Sequence, residues 1–396
     1  MEVTVGPVAH GGHCVARPDD GPVLFVRHAL PGERVRVAVT ERKAGFWRAD
    51  AVEILEPSPD RVEPPCPFAR PGVCGGCDFQ HASSEAQREL KAAVVREQLA
   101  RLARRPDVEV RVDALRGDLP GAASRGTAPR WRSRVQYAVG RDGRLGFHPF
   151  RSHRVVPVDD CPIALPAALG VLADRWSPDL ASVEVVASSE GDVSVLTRRS
   201  RTGRARVVDG PATVREALGD RVFEVDADAF WQVHPSAPAV LVATVLDLLA
   251  PQPGERAWDL YSGAGLFASA LADVVDRVTA VEGDARGVAA ARRSLADQPN
   301  VHLVEGDVRK VLAGQPLRWV DVVVLDPPRS GAGRAVVEEV ARRRPRAVAY
   351  VACDPAAFAR DVATFAEHGY DLAELRAFDA FPMTHHVECV GLFTRS

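Results

Sequence analysis

The chain has 396 residues, which predicts two or three domains, and its 46% hydrophobic content is enough for buried cores. Its formal net charge of −3 does not by itself indicate a nucleic-acid-binding protein. The sequence has no apolar run of about 18 residues and no signal-peptide pattern at its start, so we expect a cytoplasmic protein without a membrane span.

Residues 1–57 predict a small β-barrel. Short strand-like runs such as GERVRVAVTER alternate with Gly, Pro and Asp at close spacing. Four prolines between positions 57 and 65 predict a stiff linker after the barrel. Cations and aromatic side chains are interleaved here, a combination that suits phosphate contacts and base stacking. They are Arg17, Arg27, Arg34, Arg36, Arg42, Lys43, Arg48, Phe46 and Trp47.

Residues 58–225 predict a small central α+β domain. An amphipathic pattern over residues 83–105 predicts a helix with Ser84 as its N-cap and Gln87 three positions on, and this helix can dock on the domain that follows. A hairpin is predicted within residues 131–158, turning at Asp142-Gly143. Basic residues recur in this part and extend the cationic surface of the barrel. They are Arg125, Arg130, Arg132, Arg134, Arg141, Arg144, Arg151 and Arg154.

The pattern of apolar residues changes at about residue 226 and stays the same to the end of the chain. Apolar runs of strand length alternate with Ala-rich helical patterns, which predicts a parallel sheet built from βαβ units. This α/β domain spans residues 226–396. Its strand candidates are RAWDLY, RVTAVE, VHLVEG, DVVVLD and AVAYVAC.

Three of these predicted strand ends form a candidate nucleotide site. In DLYSGAGLF, Gly263 and Gly265 allow a tight turn close to a ligand, and Glu282 at the next strand end suits a ribose diol. Asp307 at the third strand end is placed to contact an adenine amine. A dinucleotide fingerprint needs a third glycine where this chain has Ala268, so S-adenosylmethionine fits better than a nicotinamide cofactor. The alternative is a set of ordinary turns.

The next two strand ends carry candidate chemistry. Asp326 precedes two prolines and could grip the edge of a base, and Cys353 follows the buried run ending at Ala352. A free cysteine is often only a buried apolar residue. Beside a methyl donor, however, a thiolate can add to carbon 6 of a pyrimidine and activate carbon 5 for methylation, after which a base must remove the carbon-5 proton. Glu388 is the candidate base.

The chain has seven cysteines, an odd number that argues against a disulfide framework in a cytoplasmic protein. Metal binding or catalysis is the better interpretation. Cys74 and Cys77 are separated by two residues, a spacing found both in zinc sites and in iron–sulfur sites.

These motifs resemble those of the RNA uridine-5-methyltransferase family, and the resemblance covers nearly the whole chain. The barrel resembles a TRAM domain, an OB-like RNA-binding module. CPFARPGVCGGCDFQH followed by DDCPI resembles the family's iron–sulfur motif. The remaining motifs occur in the family's order: FWQVHPSA, DLYSGAGLF, DPPRSGA, VACDPAAFARD and FPMTHHVE. The implied fold is a Rossmann-like class I methyltransferase sheet joined to the barrel and the central domain.

The resemblance also implies residue roles. Cys353 would be the nucleophile and Glu388 the proton acceptor. Contacts to S-adenosylmethionine or the base are implied for Gln232, Tyr261, Gly263, Gly265, Glu282, Asp307 and Asp326. A 4Fe–4S cluster would be held by Cys66, Cys74, Cys77 and Cys161, with zinc as the alternative. The substrate would be RNA, ribosomal rather than transfer RNA, and we expect a monomer.

Two residues depart from the family pattern. His234 and Asp354 stand where relatives usually carry Asn. An ionised Asp only accepts hydrogen bonds, whereas Asn also donates them. Uracil and cytosine likewise differ in whether the group on carbon 4 accepts or donates. Asp354 therefore leaves cytidine as an alternative substrate.

Two hypotheses from different classes of protein compete with an RNA methyltransferase. The first is a non-catalytic RNA-binding protein that retains the fold, and the presence of Cys353 and Glu388 disfavours it. The second is a methyltransferase that acts on a small molecule, and the basic N-terminal regions disfavour it.

Overall fold

The structure, a computed structural model, describes residues 1–19, 21–115, 130–314 and 319–395. Arg125, one of the predicted basic surface residues, lies outside these ranges. None of the helices in the described ranges is both long enough and apolar enough to cross a membrane.

The N-terminal strands form one six-stranded sheet that curves into a half-barrel. Along its fifth strand Val35 and Val37 are buried while Arg34 and Arg36 are exposed, the alternation expected when one face covers a core. The strands are β1 (Glu2–Thr4), β2 (Val8–Ala9), β3 (His13–Ala16), β4 (Val23–Arg27), β5 (Arg34–Arg42) and β6 (Phe46–Glu56), in the order β1-β5-β6-β4-β3-β2. The predicted OB-like barrel is confirmed.

The first helix, α1 (Ser84–Leu102), begins one residue earlier than its predicted cap requires. Ser83, not Ser84, is the N-cap, since its side chain accepts a hydrogen bond from the Ala86 N–H at 3.2 Å. The predicted capping partner Gln87 is buried, and its side-chain nitrogen donates to the Ala82 carbonyl. Ser84 already belongs to the helix, so the capping prediction was wrong by one position.

The segment after α1 crosses to the C-terminal sheet before the chain enters the central antiparallel sheet. Strand β7 (Val112–Ala114) pairs in parallel with a strand of that sheet, with Val112 opposite Ala377. Ala92, Val95 and Leu99 of α1 lie in the same hydrophobic core as that sheet. The helix therefore packs on the C-terminal domain.

The central domain consists of a six-stranded antiparallel sheet and a separate hairpin. The predicted turn at Asp142-Gly143 joins β8 to β9, and Gly143 has the positive φ of +76° that such turns favour. The sheet contains β8 (Arg134–Val139), β9 (Leu145–Phe147), β10 (Val156–Pro157), β11 (Ser182–Ala187), β12 (Val193–Arg198) and β13 (Arg206–Asp209). The hairpin contains β14 (Thr213–Leu218) and β15 (Arg221–Asp226). Short 3₁₀ turns span Pro166–Ala168 and Gly170–Ala173.

The C-terminal domain is an eight-stranded sheet in the order β18-β17-β16-β19-β20-β22-β21-β7. Its central strands are buried along their length, as in sheets covered by helices on both faces. The strands are β16 (Arg256–Leu260), β17 (Arg277–Glu282), β18 (Val301–Glu305), β19 (Val322–Leu325), β20 (Ala347–Ala352), β21 (Tyr370–Asp379) and β22 (Glu388–Arg395). The helices are α2 (Ala237–Leu249), α3 (Leu266–Ala272), α4 (Ala285–Ser294), α5 (Val308–Gly314), α6 (Arg334–Arg343) and α7 (Pro355–Glu367).

The five strands predicted for this domain are all present. Strands β16 to β20 pair in parallel, whereas β22 runs antiparallel between β20 and β21. The predicted α/β class and Rossmann-like sheet are confirmed.

A buried ion pair ties α1 to the end of β21. Lys91 Nζ donates to Asp379 Oδ1 at 2.5 Å and to the Phe381 carbonyl at 3.0 Å. The Lys91 side chain is fully buried and that of Asp379 is 6% exposed. A buried charge that loses its partner keeps its desolvation penalty, so the junction depends on both residues.

We expect Lys91→Met to lower the free energy of unfolding by about 3–5 kcal/mol, because Asp379 would be left buried and unpaired. The matched control is Arg111→Met, which breaks an exposed pair with Asp113 and should cost less than about 1 kcal/mol. Urea denaturation of both variants tests this. Equal losses for the two would contradict a special role of the buried pair.

Candidate active site and cysteine pocket

The candidate site lies where the order of the parallel strands changes direction. Strands β16 and β19 are neighbours, with Leu260 opposite Leu325, although they are separated in sequence by β17 and β18. Ligands of open α/β sheets bind in the crevice at such a switch point, at the carboxyl ends of the strands. The glycine loop follows β16 there and Asp326 follows β19.

The loop after β16 has a backbone that favours glycine at two positions. Gly263 and Gly265 have φ values of +54° and +90°, and a Cβ on Gly265 would lie 2.6 Å from Leu295 Cδ1. Tyr261 also has a positive φ, +67°. The Gly263 N–H donates to Glu282 Oε2 at 2.8 Å, so the loop and the second strand end are directly joined.

Two buried polar groups in this stretch were missed by the sequence analysis. Asp259 Oδ2 accepts a hydrogen bond from the Ala268 N–H at 2.8 Å, but Oδ1 has no partner, and the Ser262 hydroxyl has none either. Burial raises the pKa of Asp259 to about 8. Buried polar atoms without partners are rare, and this pair fits a polar ligand at the glycine loop.

The third predicted contact, Asp307, lies at the end of β18, where its Oδ1 accepts the Lys310 N–H at 3.0 Å. Burial raises the pKa of Tyr261 to about 12, with a smaller contribution from the negative charge of Asp307. The structure thus brings Tyr261, Glu282 and Asp307 together at one edge of the sheet.

Gln232 lies apart from these strand ends, in the loop between β15 and α2. The loop is held by the central domain: the Ser133 N–H and hydroxyl both donate to the Val233 carbonyl at 2.9 Å. The Gln232 side chain makes no hydrogen bond to another described residue. Near it, His234 is buried and stacks on Trp131, with ring centroids 6.0 Å apart. Burial lowers the pKa of His234 to about 4.

The two predicted catalytic residues lie side by side. Ala352 pairs with Cys389 in the antiparallel ladder of β20 and β22. Cys353 follows Ala352 and Glu388 precedes Cys389, so these two residues occupy facing positions at the end of the ladder. Glu388 is 3% exposed, and Cys353 is partly buried.

Burial and neighbouring negative charges raise the pKa values of Asp326, Glu388 and Cys353 at this edge. Burial, together with the charge of Glu282, raises the pKa of Asp326 to about 7. Burial, together with the charge of Asp326, raises the pKa of Glu388 well above its ordinary value. Burial raises the pKa of the Cys353 thiol to about 12, and Glu388 adds to this effect. In the ligand-free protein the thiol is therefore protonated at neutral pH.

Arg329 is a cation at this edge that the sequence analysis did not single out. Its positive charge lowers the pKa values of both Cys353 and Glu388, opposing the larger effect of burial. Its guanidinium lies 3.4 Å from His386 Nε2. Arg329 is exposed, so it can meet an incoming substrate.

Asp354, one of the two departures from the family pattern, uses both carboxylate oxygens within the protein. Oδ1 caps α7 by accepting the Ala357 N–H at 2.8 Å, and Oδ2 lies 3.1 Å from His10 Nε2 of the half-barrel. These contacts orient the side chain toward the helix and the half-barrel.

The four predicted cluster ligands converge on one cavity, here called the cysteine pocket. Cys66, Cys74, Cys77 and Cys161 line it together with Arg132 and apolar side chains, and the empty space between them measures about 450 Å³ including its opening to solvent. All four thiols are unpaired, and burial raises their pKa values.

Within the described ranges, no three His, Cys, Asp or Glu side chains are placed to hold a metal ion. In a tetrahedral zinc site each sulfur lies about 2.3 Å from the ion. The four thiols share one cavity. Because a four-iron cluster also takes four thiolates, the donor set suits it, and its presence stays a prediction.

Much of the predicted cationic surface is paired with acids. Arg34 pairs with Glu2 and Glu56, and Arg36 pairs with Glu2 and Glu53. Glu41 forms ion pairs with three more cations, which are Lys43, Arg48 and Arg151. These acids reduce the net positive charge that the sequence pattern had suggested for the half-barrel.

Aromatic partners hold two other cations of the half-barrel. The Arg42 guanidinium lies 4.9 Å from the ring centroid of Trp47, and that of Arg27 lies 4.1 Å from the ring centroid of Phe150. Phe150 comes from the central domain, so the second contact joins the two domains.

Comparison with known proteins agrees with this geometry. Residues 1–52 match the TRAM domain family, and residues 317–396 match the family described as tRNA (Uracil-5-)-methyltransferase. An uncharacterized RNA methyltransferase of Streptomyces coelicolor is 48% identical over 99% of this chain and 92% of its own length. The 23S rRNA (uracil(1939)-C(5))-methyltransferase RlmD of a Shewanella species is 31% identical over 98% of this chain and 94% of its own length.

A solved structure matches this chain over its whole length. The Pyrococcus abyssi tRNA (uracil-54, C5)-methyltransferase in complex with S-adenosyl-L-homocysteine has a TM-score of 0.75, with 100% of both chains covered and 23% identity. At this identity the match shows the fold. The Rossmann-like fold and the family match together support an S-adenosylmethionine-dependent methyltransferase.

The relatives make the assignment more specific. This chain belongs to the RNA (uracil-5-)-methyltransferase family. It is an enzyme, so the hypothesis of a non-catalytic RNA-binding protein is wrong. The names of its relatives favour RNA over a small molecule as the substrate.

We expect Arg329→Gln to slow alkylation of Cys353 by iodoacetamide at mildly alkaline pH by about 3- to 10-fold. Without this positive charge the Cys353 pKa rises further, and only the thiolate reacts. Arg329→Lys keeps the charge and should react at nearly the wild-type rate. Mass spectrometry of the peptide that carries Cys353 gives the rate, and equal rates for Gln and Lys variants would contradict this role of Arg329.

Proposed function

We propose that the enzyme methylates carbon 5 of a uridine in RNA, ribosomal rather than transfer RNA, through a covalent bond between Cys353 and the pyrimidine. The observation that carries the proposal is the facing arrangement of Cys353 and Glu388 beside the glycine loop. A thiol and a carboxylate in contact with one cleft are the two groups that this chemistry requires.

When bound, S-adenosylmethionine supplies an electrophilic methyl group. The glycine loop would hold it, with Glu282 toward the ribose and Asp307 toward the adenine. Asp259 and Ser262 support this assignment because each has a buried polar atom without a partner. Tyr261 and Gln232 would complete the contacts.

Cys353 would start the reaction. Its thiol would give its proton to solvent water, and the sulfur would add to carbon 6 of the uracil, which moves the electron pair of the double bond toward carbon 5 and the carbon-4 oxygen. Carbon 5 then takes the methyl group, and S-adenosylhomocysteine remains. Arg329 supports the first step because its charge favours the thiolate. Asp326 would hydrogen-bond the edge of the base.

Glu388 would complete the reaction. Its carboxylate removes the proton from carbon 5, the double bond between carbons 5 and 6 forms again, and the bond from carbon 6 to sulfur breaks. The thiolate of Cys353 is thereby released. A pKa raised by burial suits this role, because it makes Glu388 a stronger base than an exposed glutamate.

Two observations support the choice of substrate. Asp354 is occupied by α7 and His10, so it gives no reason to prefer cytidine. The relative that acts on 23S rRNA resembles this chain over nearly the whole length of both proteins. A target base inside folded RNA must be flipped out to reach Cys353, with the half-barrel and the central domain holding the flanking RNA.

We also propose that Cys66, Cys74, Cys77 and Cys161 hold a 4Fe–4S cluster. Their shared pocket and the four-thiolate donor set support it. Unpaired cysteines throughout the chain support a reducing compartment, the cytoplasm.

The central test of the proposed reaction uses the Glu388→Gln variant. We expect it to accumulate a methylated covalent adduct with RNA, because addition and methyl transfer proceed while proton removal fails. Cys353→Ala should form no adduct and no product. Labelled methyl donor, separate ribosomal and transfer RNA pools, denaturing gels and nucleoside mass spectrometry give the readouts.

Three outcomes would change the proposal. Labelled 5-methylcytidine would replace uridine by cytidine as the substrate, and label confined to transfer RNA would exclude ribosomal RNA. Full activity of Glu388→Gln without an adduct would remove Glu388 from the mechanism.

For the cluster, we expect protein purified without oxygen to contain about four irons and four sulfides per chain. Cys74→Ala should lose most of both because it removes one ligand. Cys14→Ala is the matched control, since Cys14 is buried outside the pocket and should leave the content unchanged. Zinc without sulfide in the wild-type protein would contradict the proposal.

A further inference from the structure

A small hydrophobic cluster connects the cysteine pocket with two loops, the one that carries Gln232 and the one that precedes Glu388. Its buried members are Trp131, Ile163 and Met383. Cys77 and Cys161 of the pocket pack against it, as do Val233 beside Gln232 and Phe381. Met383 and Phe381 belong to residues 380–387, here called the base loop, which runs from β21 to Glu388. The pocket and the base loop therefore share one core.

Main-chain hydrogen bonds attach the base loop to the segment that follows Cys77. The N–H groups of Asp78 and Phe79 both donate to the Met383 carbonyl, at 3.0 and 2.9 Å. Met383 has a φ of +70°, a conformation that is costly for a side chain of this size and persists only where its surroundings hold it. These two bonds are part of what holds it.

The carboxylate of Asp78 adds a second attachment, farther along the base loop. Its Oδ2 accepts the His385 N–H at 3.1 Å and lies 2.6 Å from His385 Nδ1. Its Oδ1 accepts a hydrogen bond from Arg27 of the half-barrel at 3.2 Å. The side chains of Asp78 and Arg27 are 10% and 6% exposed, so little water competes for these bonds.

Close packing restricts this junction further. A Cβ on Gly12 would lie 2.8 Å from the His385 Cβ and 3.1 Å from the Asp78 Cβ, so the half-barrel backbone lies directly against the pair. From the other side, Gln87 of α1 accepts the Met383 N–H at 2.8 Å. Three parts of the chain thus fix the course of the base loop at Met383 and His385, which stand five and three residues before Glu388.

We propose that Asp78 is a positioning residue for Glu388, acting through His385 and the base loop. This inference rests on the proposed function, in which Glu388 removes the carbon-5 proton. Glu388 is the first residue of β22, so its carboxylate is placed by the strand on one side and by the base loop on the other. Asp78 is adjacent to a proposed cluster ligand, and the pocket therefore contributes to the geometry of proton removal as well as to the stability of the central domain.

The proposal predicts which step fails when Asp78 is removed. Cys353 follows β20 and the glycine loop follows β16, and neither is attached to Asp78 in the described residues. Addition and methyl transfer should therefore continue. Proton removal should slow, because a displacement of about 1 Å can reduce the rate of a positioned group by about 100-fold.

The test compares Asp78→Ala with the wild type and with Glu388→Gln. We expect steady-state methylation by Asp78→Ala to fall about 10- to 100-fold with little change in KM, and methylated Cys353–RNA adduct to accumulate as it does in Glu388→Gln. Asp78→Asn can still accept the His385 N–H and should recover part of the rate. A general loss of structure would lower adduct and product together.

The matched control is Asp159→Ala. Asp159 is exposed, carries the same charge near the cysteine pocket and makes no hydrogen bond to the base loop. It should keep wild-type turnover and show no adduct. If Asp78→Ala does not fold, His385→Ala removes the side-chain contact while the pair of Asp78 and Arg27 remains. This variant should likewise accumulate methylated adduct.

The outcomes distinguish this inference from the proposed function. If Glu388→Gln traps adduct but neither Asp78→Ala nor His385→Ala does, the positioning role is wrong and the mechanism stands. If Glu388→Gln itself traps nothing, the proposed mechanism fails first. Iron and sulfide content is measured on every variant, and adduct that appears only in variants that have lost iron would overturn a direct role of Asp78.

Discussion

Strand β22 runs antiparallel between β20 and β21, and this pairing sets the distance between the two proposed catalytic groups. A ladder fixes its residues to within fractions of an ångström, whereas a loop does not. Cys353 stands at the end of one strand and Glu388 at the start of its partner, so any slip in register would separate them. The buried side chains of β20 and β22 on both faces make such a slip costly.

The electrostatics of this edge are dominated by acids. Glu282 acts on Asp326, and Asp326 acts on Glu388. Asp326 and Glu388 both act on Cys353, while the positive charge of Arg329 opposes them at Cys353 and Glu388. An acidic cleft of this kind is complementary to a positively charged sulfonium. In the proposed reaction the sulfonium of the donor would bring a positive charge to this edge, which favours the thiolate of Cys353. The thiol would then stay protonated until the donor and the target pyrimidine are both bound.

The sequence predicted what local pattern can encode. The periodicity of apolar runs predicted the strands from β16 to β20, and the turn chemistry of Gly263 and Gly265 predicted the ligand loop. What it did not predict depends on contacts between distant segments. Asp78 and His385 are separated by 307 positions, and Asp354 meets His10 across 344. Such pairs have no local signature, and the local pattern predicted a capping role for Gln87, which instead bonds Met383 across 296 positions. The error at Ser84 has a local cause, because Ser83 beside it is an equally suitable cap.

Strand β7 joins the domains in a way that domain boundaries drawn along the sequence do not show. It comes from residues between α1 and the first strand of the central sheet, yet it covers the outer edge of β21. A fragment that began at residue 226 would contain the whole proposed reaction centre but expose an unpaired edge strand and the apolar bed of α1. Exposed edges of this kind promote intermolecular pairing. The C-terminal domain is therefore not a portable module here, because a truncation within residues 84–114 would remove the cover of this edge.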